Sequence, residues 1–66
     1  MQIIVNGAPE EHPDGLSISD LLHAHNLSAV PCAVEVNKNL VRKPQHDEHT
    51  LQEGDTVEIV SLVGGG

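Results

Sequence analysis

Phenylalanine, tyrosine and tryptophan are all absent from this 66-residue chain, so its hydrophobic core is expected to be aliphatic throughout. Cations are nearly as scarce: Lys38, Arg42 and Lys43 stand against ten acidic residues, for a formal charge of -7. With neither a basic patch nor aromatic stacking platforms, nucleic-acid binding is excluded as a role. An acidic surface is instead steered toward basic protein partners. The single cysteine, Cys32, excludes an internal disulfide and suits a reducing, cytoplasmic setting. The opening MQIIVNGAPEE has no basic segment followed by an apolar one, and no apolar run reaches membrane length. The expectation is one cytoplasmic domain with no membrane association.

The machinery of an independent enzyme is missing as well. No Ser-His-Asp spacing occurs, and Gly64 to Gly66 are followed by no helix that could help them cradle a phosphate. Five histidines raise the question of a metal. His23 and His25 sit two apart on an expected helix and so do not face each other. His46 and His49 can share one side of a turn, but a third ligand is not evident, so no metal site is expected. These histidines read as solvated loop residues, with His25 covering the helix edge. Cys32 has neither a basic neighbour nor a CxxC partner and reads as a small, partly buried residue. No catalytic residue is expected.

What the sequence does contain is regular punctuation. A β-branched strand in QIIV runs into Asn6-Gly7, a strong hairpin signal because both central turn residues need positive φ. The returning strand carries Pro9 and Pro13, which cannot donate to a ladder and so place it at a sheet edge. SISDLLHAHN predicts a helix with Ser17 as N-cap and Asp20 completing the box. Ile18, Leu21, Leu22 and His25 form its inward stripe, and Asn26 stops it. A strand follows at residues 33–37, then a turn at Asn37-Lys38-Asn39 and a short strand ending before Pro44. The stretch QHDEHTLQEGD is polar and irregular, with Leu51 its one core anchor. A turn at Glu53-Gly54-Asp55 leads into a last strand from Thr56 to Val63.

One helix over one face of a sheet is the two-layer solution for an α+β domain. Alternation places Val57, Ile59 and Val63 inward with Ile3, Val5, Val34 and Val36, and points Ile4, Glu58, Val60 and Leu62 away from the helix. An apolar patch on that open face, just before the chain's last residues, is expected to dock a partner.

Those last residues are SLVGGG. A glycine run loses the most freedom on ordering, so residues 64–66 are expected to form a flexible tail after a folded domain of residues 1–63. The opening MQIIVNG, the helix ISDLL, the segment AVEVNKNLV and the ending LQEGDTVEIVSLVGGG together resemble the ThiS-type sulfur carriers of thiamin biosynthesis, along the whole chain. The resemblance implies a ubiquitin-like β-grasp fold, with a mixed sheet of four to five strands and one helix, and a monomeric carrier with no bound cofactor. It implies that a ThiF-like enzyme uses ATP to adenylate the carboxylate of Gly66, and that a persulfide donor converts it to a thiocarboxylate. The sulfur then passes to a ThiG-like thiazole synthase. Gly64 and Gly65 are the residues that would enter the partner's active site, since a backbone without Cβ passes through a narrow channel. A MoaD-like carrier for molybdopterin and a ubiquitin-like protein modifier share the same activation chemistry. A non-carrier interaction module of the same fold is the remaining alternative.

Overall fold

Two hairpins of the same geometry frame the domain. The computed structural model describes residues 1–62. Strand β1 (Gln2–Val5) returns as β2 (Ala8–Glu11) through Asn6 and Gly7, at φ +50° and +84°. Strand β3 (Cys32–Val36) returns as β4 (Asn39–Val41) through Asn37 and Lys38, at φ +52° and +70°. Positive φ at both central residues gives the turn a twist that matches the strands it joins. The second turn is thus tighter than the three residues expected from sequence. Asn39 already pairs with Val36, and β3 spans 32–36 because Asn37 has left the extended region.

The five strands lie in the order β2-β1-β5-β3-β4, with β5 (Thr56–Ser61) in the centre. It runs parallel to β1 and antiparallel to β3, so the sheet is mixed. Strand β2, with Pro9 opposite Ile4, takes an edge as a proline requires, but it ends at Glu11 and leaves Pro13 outside the ladder. The last strand is shorter than predicted. Its ladder ends where Cys32 meets Ser61, Leu62 lies in a bend, and Val63 falls outside the described residues.

Helix α1 (Ile18–Ala24) has only seven residues, too few to persist alone in water. Its N-terminus is fully satisfied. Ser17 Oγ accepts from the Asp20 amide at 3.0 Å and the Asp20 carboxylate accepts from the Ser17 amide at 3.1 Å. The amides of Ile18 and Ser19 donate to the carbonyls of His49 and His46 at 3.0 and 3.2 Å. All four amides that a helix start leaves orphaned are therefore paired, two of them by a segment about thirty residues away. Asn26 at φ +61° ends the helix as expected. His25 is its C-cap and does not continue the apolar stripe.

The core is aliphatic: Ile3, Val5, Ile18, Leu21, Leu22, Val34, Val36, Val41, Leu51 and Val57 are buried, with Ile59 packed at the margin. Leu51 anchors the polar connection as predicted, at 1 % exposure. That connection also contains a 3-10 turn (Lys43–Gln45) and a buried histidine. His46, read from sequence as a solvated loop residue, is only 5 % exposed, and its Nε2 bonds the Val41 carbonyl at 2.9 Å. A buried polar ring needs such a partner, and this one fastens the connection to β4. No helix among the described residues is long and apolar enough to cross a membrane.

Candidate functional site

Strand β5 is the element that delivers the chain's last residues, and it is fixed along its whole length. At its start, Asp55 closes the Gln52–Asp55 turn. One carboxylate oxygen accepts from the Gln52 amide at 2.8 Å and the other from Asn37 Nδ2 at 2.9 Å. Asn37 also accepts from the Thr56 amide at 3.0 Å and donates its own amide to the Thr56 carbonyl at 2.7 Å. Gly54, at φ +83°, donates to the Gln2 carbonyl at 2.8 Å, tying the same turn to β1. The Gly-Asp pair noticed in the sequence is therefore a structural latch, joining the start of β5 to both of its neighbours.

Further along, the pairing with β1 runs out after Val57, and Asn6 takes over: its Oδ1 accepts from the Ile59 amide at 2.7 Å. On the other side the ladder to β3 continues to Ser61, and the Leu62 amide donates to the Pro31 carbonyl at 2.8 Å. The strand is thus held up to Leu62. The residues expected to carry the chemistry, Gly66 with Gly64 and Gly65, lie outside the described residues, as does Val63.

The face of the sheet opposite α1 is uncovered. Val60 and Leu62 stand on it at 58 % and 63 % exposure, beside the exposed Glu58. Ile4 shares this face but is half-buried, lying between Pro9 of β2 and Thr56 of β5. Glu58 lies between the Ile4 and Val60 positions, so the four residues named from sequence do not make one apolar patch. Two members escaped the sequence reading. Leu40 of β4 is 62 % exposed, and Glu35 of β3 pairs with both Leu40 and Glu58. Alternation would have exposed Glu35, since Val34 and Val36 point inward. Only the strand register puts it beside Glu58.

A second polar cluster lies on the edge strand β2. Glu10 of β2 is held by two rings, His12 Nε2 at 2.7 Å and His25 Nε2 at 3.0 Å, which ties the edge strand to the end of the helix. Partial burial raises the Glu10 pKa, but the hydrogen bonds and charges of His12 and His25 more than offset this. The carboxyl therefore titrates below the ordinary glutamate value. His23 bonds the Ser28 hydroxyl at 3.1 Å beyond the helix end.

Comparison with known proteins agrees with this layout. The ThiS family model matches residues 3–66. A crystal structure of the thiamine biosynthesis protein ThiS from Geobacter metallireducens superposes with a TM-score of 0.83 at 30 % identity, covering all of both chains. The sulfur carrier protein ThiS of Bacillus subtilis is 40 % identical over 50 residues, 76 % of each chain. The thiazole synthase of Magnetococcus marinus is 35 % identical over all 66 residues of this chain, which spans only 20 % of that protein's length. With a five-stranded mixed sheet and one α-helix among the described residues, and a family match that runs from residue 3 to residue 66, this β-grasp chain belongs to the ThiS family.

Proposed function

We propose that this protein is a sulfur carrier for thiamin biosynthesis that acts as a co-substrate and performs no catalysis itself. The observation that carries the reading is the family match, which extends through the glycines to Gly66. In this role the carboxylate of Gly66 is the reactive group. A free carboxylate is a poor electrophile because its carbonyl carbon is shielded by delocalised negative charge. A ThiF-like partner transfers AMP from ATP to it, releasing pyrophosphate and creating a good leaving group. A persulfide sulfur then attacks the carbonyl carbon, AMP departs, and cleavage of the S–S bond by a thiol leaves the thiocarboxylate on Gly66.

The acceptor in this proposal is a thiazole synthase. Support comes from relatives named thiazole synthase, in which a stretch similar to this entire chain makes up about a fifth of the protein. The carrier's own contribution is presentation. Strand β5 is clamped from Asp55 to Leu62, four residues before Gly66 in sequence, and glycine at 64 and 65 would let the backbone approach the nucleotide closely. The open face carrying Ile4, Glu58, Val60 and Leu62 serves as the docking surface, and its acidic character suits a basic partner.

Intact-mass measurement after incubation with a ThiF-type enzyme, ATP and a persulfide source tests this. Exchange of oxygen for sulfur changes the mass nearly as oxidation of Met1 or Cys32 would, so the gain is located by fragmentation. Sulfur on Gly66 is the expected result. A terminus that stays a plain carboxylate, while the enzyme charges a control carrier, overturns the proposal. Gly66→Val is expected to fold normally and to resist adenylation.

A further inference from the structure

Strands β3 and β5 place two carboxylates directly opposite each other, Glu35 against Glu58, in the middle of the uncovered face. Both are exposed, and among the described residues neither makes a hydrogen bond or an ion pair. Like charges facing each other across a ladder destabilise a sheet, since the side chains stand only about 5 Å apart at Cβ. None of the three cations relieves them: Lys38 sits in the β3–β4 turn, Arg42 beyond the end of β4 and Lys43 in the 3-10 turn. Toward the end of β5 and toward β4 the neighbours of the pair are apolar, while Asn37 and Thr56 bound it on the other side. Leu40 flanks Glu35 on one side, and Ala33 and Val60 form the next pair along the ladder, toward Leu62.

We propose that Glu35 and Glu58 together form a socket for a single guanidinium group on the surface of the adenylating partner. This inference rests on the carrier reading above and specifies how the carrier is recognised. Two adjacent carboxylates bordered on one side by Leu40, Ala33 and Val60 call for one cation that can reach both and can be partly dehydrated. A planar guanidinium offers five donors in a fixed fork and is weakly hydrated, whereas an ammonium is a compact, strongly hydrated point charge. A second copy of this chain is the wrong occupant, because two such faces would oppose four carboxylates. The repulsion is thus a cost to the free carrier that is relieved only when the arginine is seated.

The test compares wild type, Glu35→Gln, Glu58→Gln and the double variant. Thermal unfolding is followed on the free chain, and affinity for a ThiF-type enzyme is measured at low and high salt. Each single substitution is expected to raise the melting temperature of the free chain while weakening binding by about tenfold. Because both carboxylates serve one group, the double variant should lose much less than the product of the single losses, and its affinity should depend less on salt. A fold effect alone cannot produce higher stability together with weaker binding. Variants that bind as wild type does, or losses that simply multiply, overturn the socket and leave the carrier reading intact. Failure of the wild type to bind at all overturns both. Self-association that strengthens in the Gln variants overturns the choice of occupant.

Discussion

Replacing Leu62 by alanine separates docking from folding more cleanly than any other single change. Leu62 is the last described residue and is 63 % exposed, with only its backbone amide engaged, to Pro31. Complete burial of a leucine side chain is worth about 1.5–3 kcal/mol. If docking covers what remains exposed, the contact supplies 63 % of that, about 1–2 kcal/mol. Leu62→Ala should therefore raise the Kd for a ThiF-type enzyme by about 5- to 30-fold. The free chain has little to lose, so its stability should change by less than about 0.5 kcal/mol. For a domain of this size that is a shift of roughly 2–4 °C in melting temperature. Titration calorimetry and thermal unfolding on the same preparations provide both readings. Leu62→Glu should weaken binding further and still fold. An unchanged Kd would mean that docking occurs elsewhere. A collapse in melting temperature would mean that Leu62 faces the core and that the two sides of β5 have been exchanged.

Three further outcomes follow from the fold and from the Glu10 cluster. Leu51→Ala removes the only buried leucine of the long connection and should cost about 2–5 kcal/mol, read from urea unfolding; a loss below about 1 kcal/mol would show that the connection is not anchored there. Lys38→Gly should stabilise the chain by about 0.5–1 kcal/mol, because Lys38 sits at φ +70° where a side chain is strained; a lower melting temperature would contradict that. The depressed pKa of Glu10 stabilises the fold above the ordinary glutamate value of 4.5, and this contribution is lost as pH falls through the lower folded-state value. Glu10→Gln should accordingly lower the melting temperature just above pH 4.5, with the difference from wild type shrinking as pH falls below that value; a difference independent of pH would refute the ionic character of the clamp.

The features that could be read without coordinates were those whose causes lie within a few residues. Asn6-Gly7 demanded positive φ, Ser17 and Asp20 capped a helix that Asn26 ended, Pro9 was confined to an edge, and alternation along TVEIVS separated Val57 from Glu58. The family-like ending LQEGDTVEIVSLVGGG needed only the order of residues. Other features required partners far apart in the chain. His46 is buried because β4 supplies a carbonyl for its ring, and Glu10 is clamped because the helix end brings His25 back beside it. The placement of Glu35 next to Glu58 depends on the β3–β5 register, 23 residues apart in sequence. Local backbone preferences act through φ, ψ and the positions of near neighbours. Burial of a ring, pairing of charges and the membership of a surface patch depend on which distant segments the core brings together, and tertiary packing decides that.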